Sequence, residues 1–165
     1  MTLAATSALP AGSPGQARIG SADSPSIRDL VLLAAQVADD KKAIDPVILD
    51  VGEALSITEA FVIASAPNRR QVAMIADEVE AAVKAAGGGG PISVEGLSEA
   101  SWVLLDFGAF VVHVFLDETR RFYDLERLWR EVPRIAWTPL RGPEADAEPH
   151  GDVDATDLQP EGVDR

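Results

Sequence analysis

The sequence predicts an α/β domain in which helices cover a mixed sheet of five strands, one unit spanning residues 26–137. Two stretches, from Ile27 and from Val72, repeat apolar residues at the three- and four-residue spacing of a helix face. Five short runs rich in Val, Ile, Leu and Phe read as strands, two before the second helix and three after it. Strands that are consecutive in one place and separated by a helix in another imply both antiparallel and parallel pairs.

Residues 1–25 are mainly Ala, Ser, Gly and Pro, with too little apolar surface to offset the entropy of ordering, and are expected to be disordered. Ser26, with Asp29 three residues on, opens the first helix as a capping box. Ile27, Leu30, Val31, Ala34, Val37 and Ala38 form its buried stripe, and Lys41 and Lys42 suit the negative end of its dipole. Pro46 can open a strand without losing a needed ladder bond, and Val47 to Val51 continue it. Phe61 to Ser65 make the second strand, its neighbour across the turn of residues 52–59.

Asn68 and Gln71 predict a second capping box, followed by a stripe of Val72, Ile75, Ala76, Val79 and Val83 that ends at Gly87. The run Gly87 to Gly90 invites a phosphate-loop reading, but it follows a helix and no Gly-Lys-Ser/Thr closes it, so a flexible connection is expected. Pro91 to Glu95 supply a third strand. Trp102 to Phe115 then read as a hairpin turning at Asp106-Phe107-Gly108-Ala109. Asp117 is placed to cap a last amphipathic helix carrying Phe122, Leu125, Leu128 and Trp129, either continuous or broken into two turns. Ile135 and Trp137 are poor residues to leave in water, so their segment should lie against the domain. Residues 138–165 are expected to be an acidic, disordered tail.

Charge and composition narrow the function. A net charge of −13 repels a phosphate backbone, so direct nucleic-acid binding is disfavoured and a basic protein surface is the more natural partner. With no cysteine there is neither a disulfide nor a thiolate metal site. No apolar run approaches the roughly 20 residues of a membrane span, and the N-terminus lacks a basic region followed by an apolar stretch, so a cytoplasmic protein is expected.

Chemistry is hard to find. His113 stands alone between valines and, by alternation, shares a face with Val111 and Phe115, which favours a hydrogen-bonded core histidine over a catalytic one. Neither a metal nor a cofactor is called for. Asp50 and Asp106 each end an apolar strand, and a nucleotidyltransferase-like, metal-dependent enzyme using them is the alternative reading. Solvated strand ends are the plainer explanation.

One ordered set of fragments carries a resemblance. Leu49-Asp50-Val51, Ser56-Ile57-Thr58 leading into Phe61-Val62-Ile63-Ala64, Ile75-Ala76-Asp77-Glu78-Val79, Trp102-Val-Leu-Leu-Asp-Phe-Gly, Val111-Val-His-Val-Phe and Phe122-Tyr-Asp-Leu-Glu-Arg-Leu-Trp129 resemble the ribosomal silencing factors, the Iojap-like family. The chain departs from the family pattern at Glu59-Ala60 and at Ala109, so no role is carried over to those side chains. The resemblance implies a nucleotidyltransferase-like fold without catalysis. It implies binding to the fourteenth protein of the large ribosomal subunit, on the face that meets the small subunit, and so a block to subunit joining and translation when nutrients are short. Organellar relatives act in large-subunit assembly, and free members can be homodimers. Carried over by position, it implies partner contacts at Trp102 and Tyr123, with Asp124 and Glu126 meeting basic groups and Asp106 and Gly108 as lesser contacts. For Trp129, core packing is the expectation.

Overall fold

A computed structural model describes residues 24–140, so the predicted tails at 1–25 and 138–165 lie outside the described residues apart from their inner ends. Helix α1 (Ile27–Asp40) starts at the predicted box: the Ser26 hydroxyl accepts from the Asp29 amide, and the Asp29 carboxylate accepts from the Ser26 amide at 3.1 Å. It ends one residue before Lys41, whose ammonium pairs with Glu78 on the next helix at 3.1 Å. Helix α2 (Arg69–Val83) uses only half of its predicted box. Asn68 accepts from the Gln71 amide, but the Gln71 side-chain amide donates to the carbonyls of Lys41 and Lys42 and ties the two helices together. A wider turn over Lys84–Gly88 follows, and Gly87 takes the left-handed backbone (φ 90°) that closes it.

The strands are β1 (Ile44–Asp50), β2 (Ala60–Ala66), β3 (Ser93–Glu95), β4 (Trp102–Asp106) and β5 (Phe110–Leu116). Their order in the single sheet is β1-β2-β5-β4-β3, with β2 and β5 parallel and every other pair antiparallel, which is the predicted mixed five-stranded sheet. Strand β1 begins two residues before Pro46. The pairing with β2 slips between Ile44 and Val47, and Asp45 has φ 42°, so the proline sits in a bulge on an edge strand where its missing N–H costs no ladder bond. The outer edge of β1 is covered by the C-terminal segment. The Asp50 amide donates to the Pro133 carbonyl, the Ile135 amide to the Ile48 carbonyl and the Trp137 indole to the Pro46 carbonyl, and Leu140 reaches Gln36 on α1. This docks Ile135 and Trp137 against the core, as expected, and blunts an edge otherwise open to pairing with another chain.

Alternation along the strands sorts the core into two layers. Ile48, Val62, Ala64, Val103, Leu105, Val112 and Val114 face α1 and α2, whose Val31, Ala34, Val72, Ile75 and Val79 are almost fully buried against them. Each of the larger side chains contributes on the order of 2 kcal/mol relative to exposure. Val47, Leu49, Phe61, Ile63 and Phe115 face the other way. That second face is only partly covered, by helices α3 (Asp117–Tyr123) and α4 (Leu125–Leu128), and it is the face that carries Trp102 and His113.

Candidate functional site

Asp117 is not a cap. Leu116 occupies the cap position with no side-chain bond, and Asp117 is the first helical residue, receiving the Ser65 hydroxyl at 3.4 Å and pairing with Arg121. The last helical segment is broken, and Asp124 is the break. Its backbone is left-handed (φ 46°, ψ 55°), a conformation aspartate tolerates better than most residues, and α4 leaves in a new direction. The predicted stripe therefore does not hold. Leu125 and Trp129 pack on the second face, whereas Phe122 is 81% exposed and Leu128 72% exposed.

A row of aromatic rings crosses this face from core to surface. Trp129 meets Phe61 edge-on at 5.6 Å, Phe61 meets His113 at 5.1 Å, and Trp102 stacks on Phe115 at 4.8 Å and lies 4.9 Å from Tyr123. Trp129 is thus the core-packing residue that was expected. At the outer end, Tyr123, half exposed, and Phe122 flank two adjoining shallow clefts. One, of about 610 Å³, is lined by Arg121, Phe122, Tyr123, Arg127, Leu128 and Arg130 among others, and the second, of about 460 Å³, reaches Ser101 and Trp102. Residues 117–134 hold five arginines and five acids, so this corner is neutral in a strongly acidic chain.

Of the six residues singled out in the sequence, Trp102, Tyr123 and Asp124 line the clefts of this corner, while Glu126 is turned inward to Arg120. The Glu126 carboxylate already accepts two bonds from Arg120 within the chain, at 2.6 and 3.1 Å. Asp106 and Gly108 sit at the opposite end of β4, roughly 14 Å away along the strand. The Asp106 carboxylate accepts from the Gly108 amide at 2.7 Å, and Gly108 has φ 80°, so the pair forms the β4–β5 turn. Phe122, Leu128 and Arg127 are surface residues of the corner that sequence reasoning did not single out as contacts. No local feature of the sequence separates Phe122 and Leu128 from the packed Leu125 and Trp129.

The enzyme alternative lacks its geometry. Asp50 and Asp106 lie at the same end of the sheet, but strands β2 and β5 stand between theirs, a separation of roughly 14 Å. They also point to opposite faces: Asp50 shares the phase of Ile48, beneath the helices, and Asp106 that of Trp102. The Asp50 carboxylate accepts from the Gly52 amide, another turn contact. Among the described residues no group of three or more His, Cys, Asp and Glu converges as metal ligands would, and no helix is long and apolar enough to cross a membrane.

His113 lies 6% exposed on β5, accepting the Trp102 indole N–H on Nδ1 at 3.2 Å, while Nε2 is buried without a partner. Burial pushes its pKa down from 6.5 to about 4. Between these values the unfolded chain binds a proton that the folded chain refuses. Stability from this group is therefore complete above about pH 6.5 and is lost as pH falls toward 4, by roughly 3 kcal/mol at most. Melts of wild type and His113→Phe from pH 7 to pH 4.5 are expected to show the flatter profile in the variant, and parallel profiles would show that His113 is not the titrating group.

Comparison with known proteins gives this geometry its context. Residues 24–161 match the family model described as "Ribosomal silencing factor during starvation", a match running past residue 137 into the segment expected to be an acidic tail. A protein of Halalkalibacterium halodurans named ribosomal silencing factor RsfS is 36% identical over 113 residues, covering 67% of this chain and 93% of the relative. The mouse protein named mitochondrial assembly of ribosomal large subunit protein 1 is 30% identical over 119 residues, 70% of this chain and 52% of its own length. A crystal structure of a Chromobacterium violaceum protein superposes with a TM-score of 0.62 at 30% identity, covering 73% of this chain and 98% of that one. With the family match over residues 24–161 and 36% identity to a relative of that name, the chain belongs to the RsfS family of ribosomal silencing factors.

Proposed function

We propose that this chain docks on the large ribosomal subunit, through its fourteenth protein at the face that meets the small subunit, and represses translation under nutrient limitation by occupying that face. The observation that carries this reading is the family match over residues 24–161. The geometry supports it in two ways. The corner offers three large exposed side chains, Phe122, Tyr123 and Leu128, beside the partly buried Trp102. Aromatic side chains of this kind are the usual anchors of a standard interface of roughly 800 Å² per partner. The arginines around the clefts add residues of the type that anchors interfaces, and the net charge of −13 steers the protein toward basic surfaces. In this reading Trp102 and Tyr123 are the anchors, Asp124 meets a basic group at the rim, and Asp106 and Gly108 contribute only at the periphery. The domain of residues 26–137 is the working unit, acting in the cytoplasm, with residues 1–25 and 138–165 as tails. Large-subunit assembly is a second outlet for the same contact, and a homodimer is the form when free.

Sedimentation of separated subunits tests the reading. Adding the purified chain before mixing is expected to reduce the joined-particle peak in proportion to bound protein. A peak unchanged at saturating protein would overturn it.

A further inference from the structure

Arg120 belongs to α3, yet it is only 8% exposed. Its Nη1 donates to the Ile44 carbonyl at 2.8 Å and to the Ser65 hydroxyl at 3.2 Å. Its Nη2 donates to the Asp45 carbonyl at 2.9 Å and to Glu126 Oε1 at 2.6 Å, and Nε donates to that same oxygen at 3.1 Å. All five guanidinium N–H groups are thus engaged, with partners on the β1 bulge, the end of β2 and α4.

This network spans the break between α3 and α4. Helix α4 has four residues, too few to hold a direction by its own hydrogen bonds, and it is separated from α3 by the left-handed Asp124. Glu126 lies on the far side of that break and Arg120 on the near side, so their ion pair crosses it. Tyr123 is the last residue of α3 and Leu128 the last of α4, and the angle between the helices sets how these exposed side chains are spread.

We propose that Arg120, with Glu126 as its counter-ion, is a positioning residue for the docking surface: it locks the α3–α4 angle, and hence the placement of Tyr123 and Leu128, without touching the partner. This rests on the reading that the corner docks on the ribosome, and it gives Glu126 a role inside the chain rather than at the interface. Lysine cannot replace the arginine, because a single ammonium does not span acceptors on three elements at once.

The experiment uses the full chain with Arg120→Lys, and with Glu126→Gln as the milder change should the first fail to fold. Nuclear Overhauser cross-peaks between the rings of Trp102 and Tyr123, and of Phe61 and Trp129, report the corner. Amide exchange at Val62 and Val112 reports the sheet, and co-sedimentation with large subunits reports docking. The expected result is an unchanged sheet, weakened ring cross-peaks and binding at least tenfold weaker. Lost binding with intact cross-peaks would make these residues direct contacts and overturn the proposal, as would unchanged cross-peaks with unchanged binding. Lost cross-peaks with wild-type binding would overturn it too, since the corner would then not be what docks. If wild type itself fails to bind large subunits, the ribosomal reading falls with the docking half of the proposal, while the cross-peaks still decide whether Arg120 sets the corner.

Discussion

Replacing Gly96 with alanine is expected to lower the melting temperature by roughly 10 °C or more, the largest effect of an alanine at any glycine among the described residues. Gly96 turns the backbone between β3 and β4 at φ 77°, where an L side chain is strained whatever the space around it. Here there is no space either. A Cβ would fall on the carbonyl oxygen of Trp102, so backbone at the start of β4 has to move. Strain and displaced strand together cost about 3 kcal/mol or more. Because the atom displaced belongs to Trp102, the loss spreads to the aromatic corner, and large-subunit binding should fall alongside stability. Gly90→Ala is the control: nothing lies within 4 Å of its Cβ and its backbone is ordinary, so a change within about 0.5 kcal/mol is expected. Thermal melts of the two variants check the contrast. Similar melting temperatures would mean that β3 and β4 do not approach as closely as the fold requires.

What the sequence revealed follows from what local rules can carry. Apolar periodicity located both long helices and all five strands, and alternation placed His113 on the face of Val111 and Phe115, where it is found. Helix and strand periods are properties of a few consecutive residues, so they survive without knowledge of the fold. The stripe through Phe122, Leu125, Leu128 and Trp129 holds only for Leu125 and Trp129: of the continuous and broken forms the broken one is found, and which apolar residues then meet the sheet is set by tertiary packing rather than by spacing. Arg120 was invisible because its partners at Ile44, Asp45 and Ser65 lie 76, 75 and 55 residues away, and nothing near it in sequence distinguishes a buried arginine from a solvated one. The opposed directions of Asp50 and Asp106 needed the strand order as well as the alternation, and the order β1-β2-β5-β4-β3 depends on how the chain crosses over after β2.

The second large effect is on binding alone. Tyr123→Ala is expected to weaken association with the large subunit by about 30-fold, or about 2 kcal/mol, the loss typical of an aromatic anchor at an interface centre. Tyr123 suits this test better than its neighbour. It is 51% exposed, so truncation removes little buried area from the free domain, chiefly the ring contacts with Trp102 and Phe122, each worth about 1 kcal/mol. Trp102→Ala also removes the bond to His113 Nδ1 and the stack on Phe115, so its effect on binding mixes contact with fold. Met74→Ala supplies the comparison, since Met74 is similarly exposed but lies on α2, on the other side of the sheet, and should bind as wild type does. Co-sedimentation over a range of subunit concentrations, paired with a melt of each variant, separates the two causes. A Tyr123→Ala protein that melts within a few degrees of wild type yet binds thirtyfold more weakly places the tyrosine in the interface. One that binds as tightly as Met74→Ala removes the corner from it and moves the search to another face of the sheet.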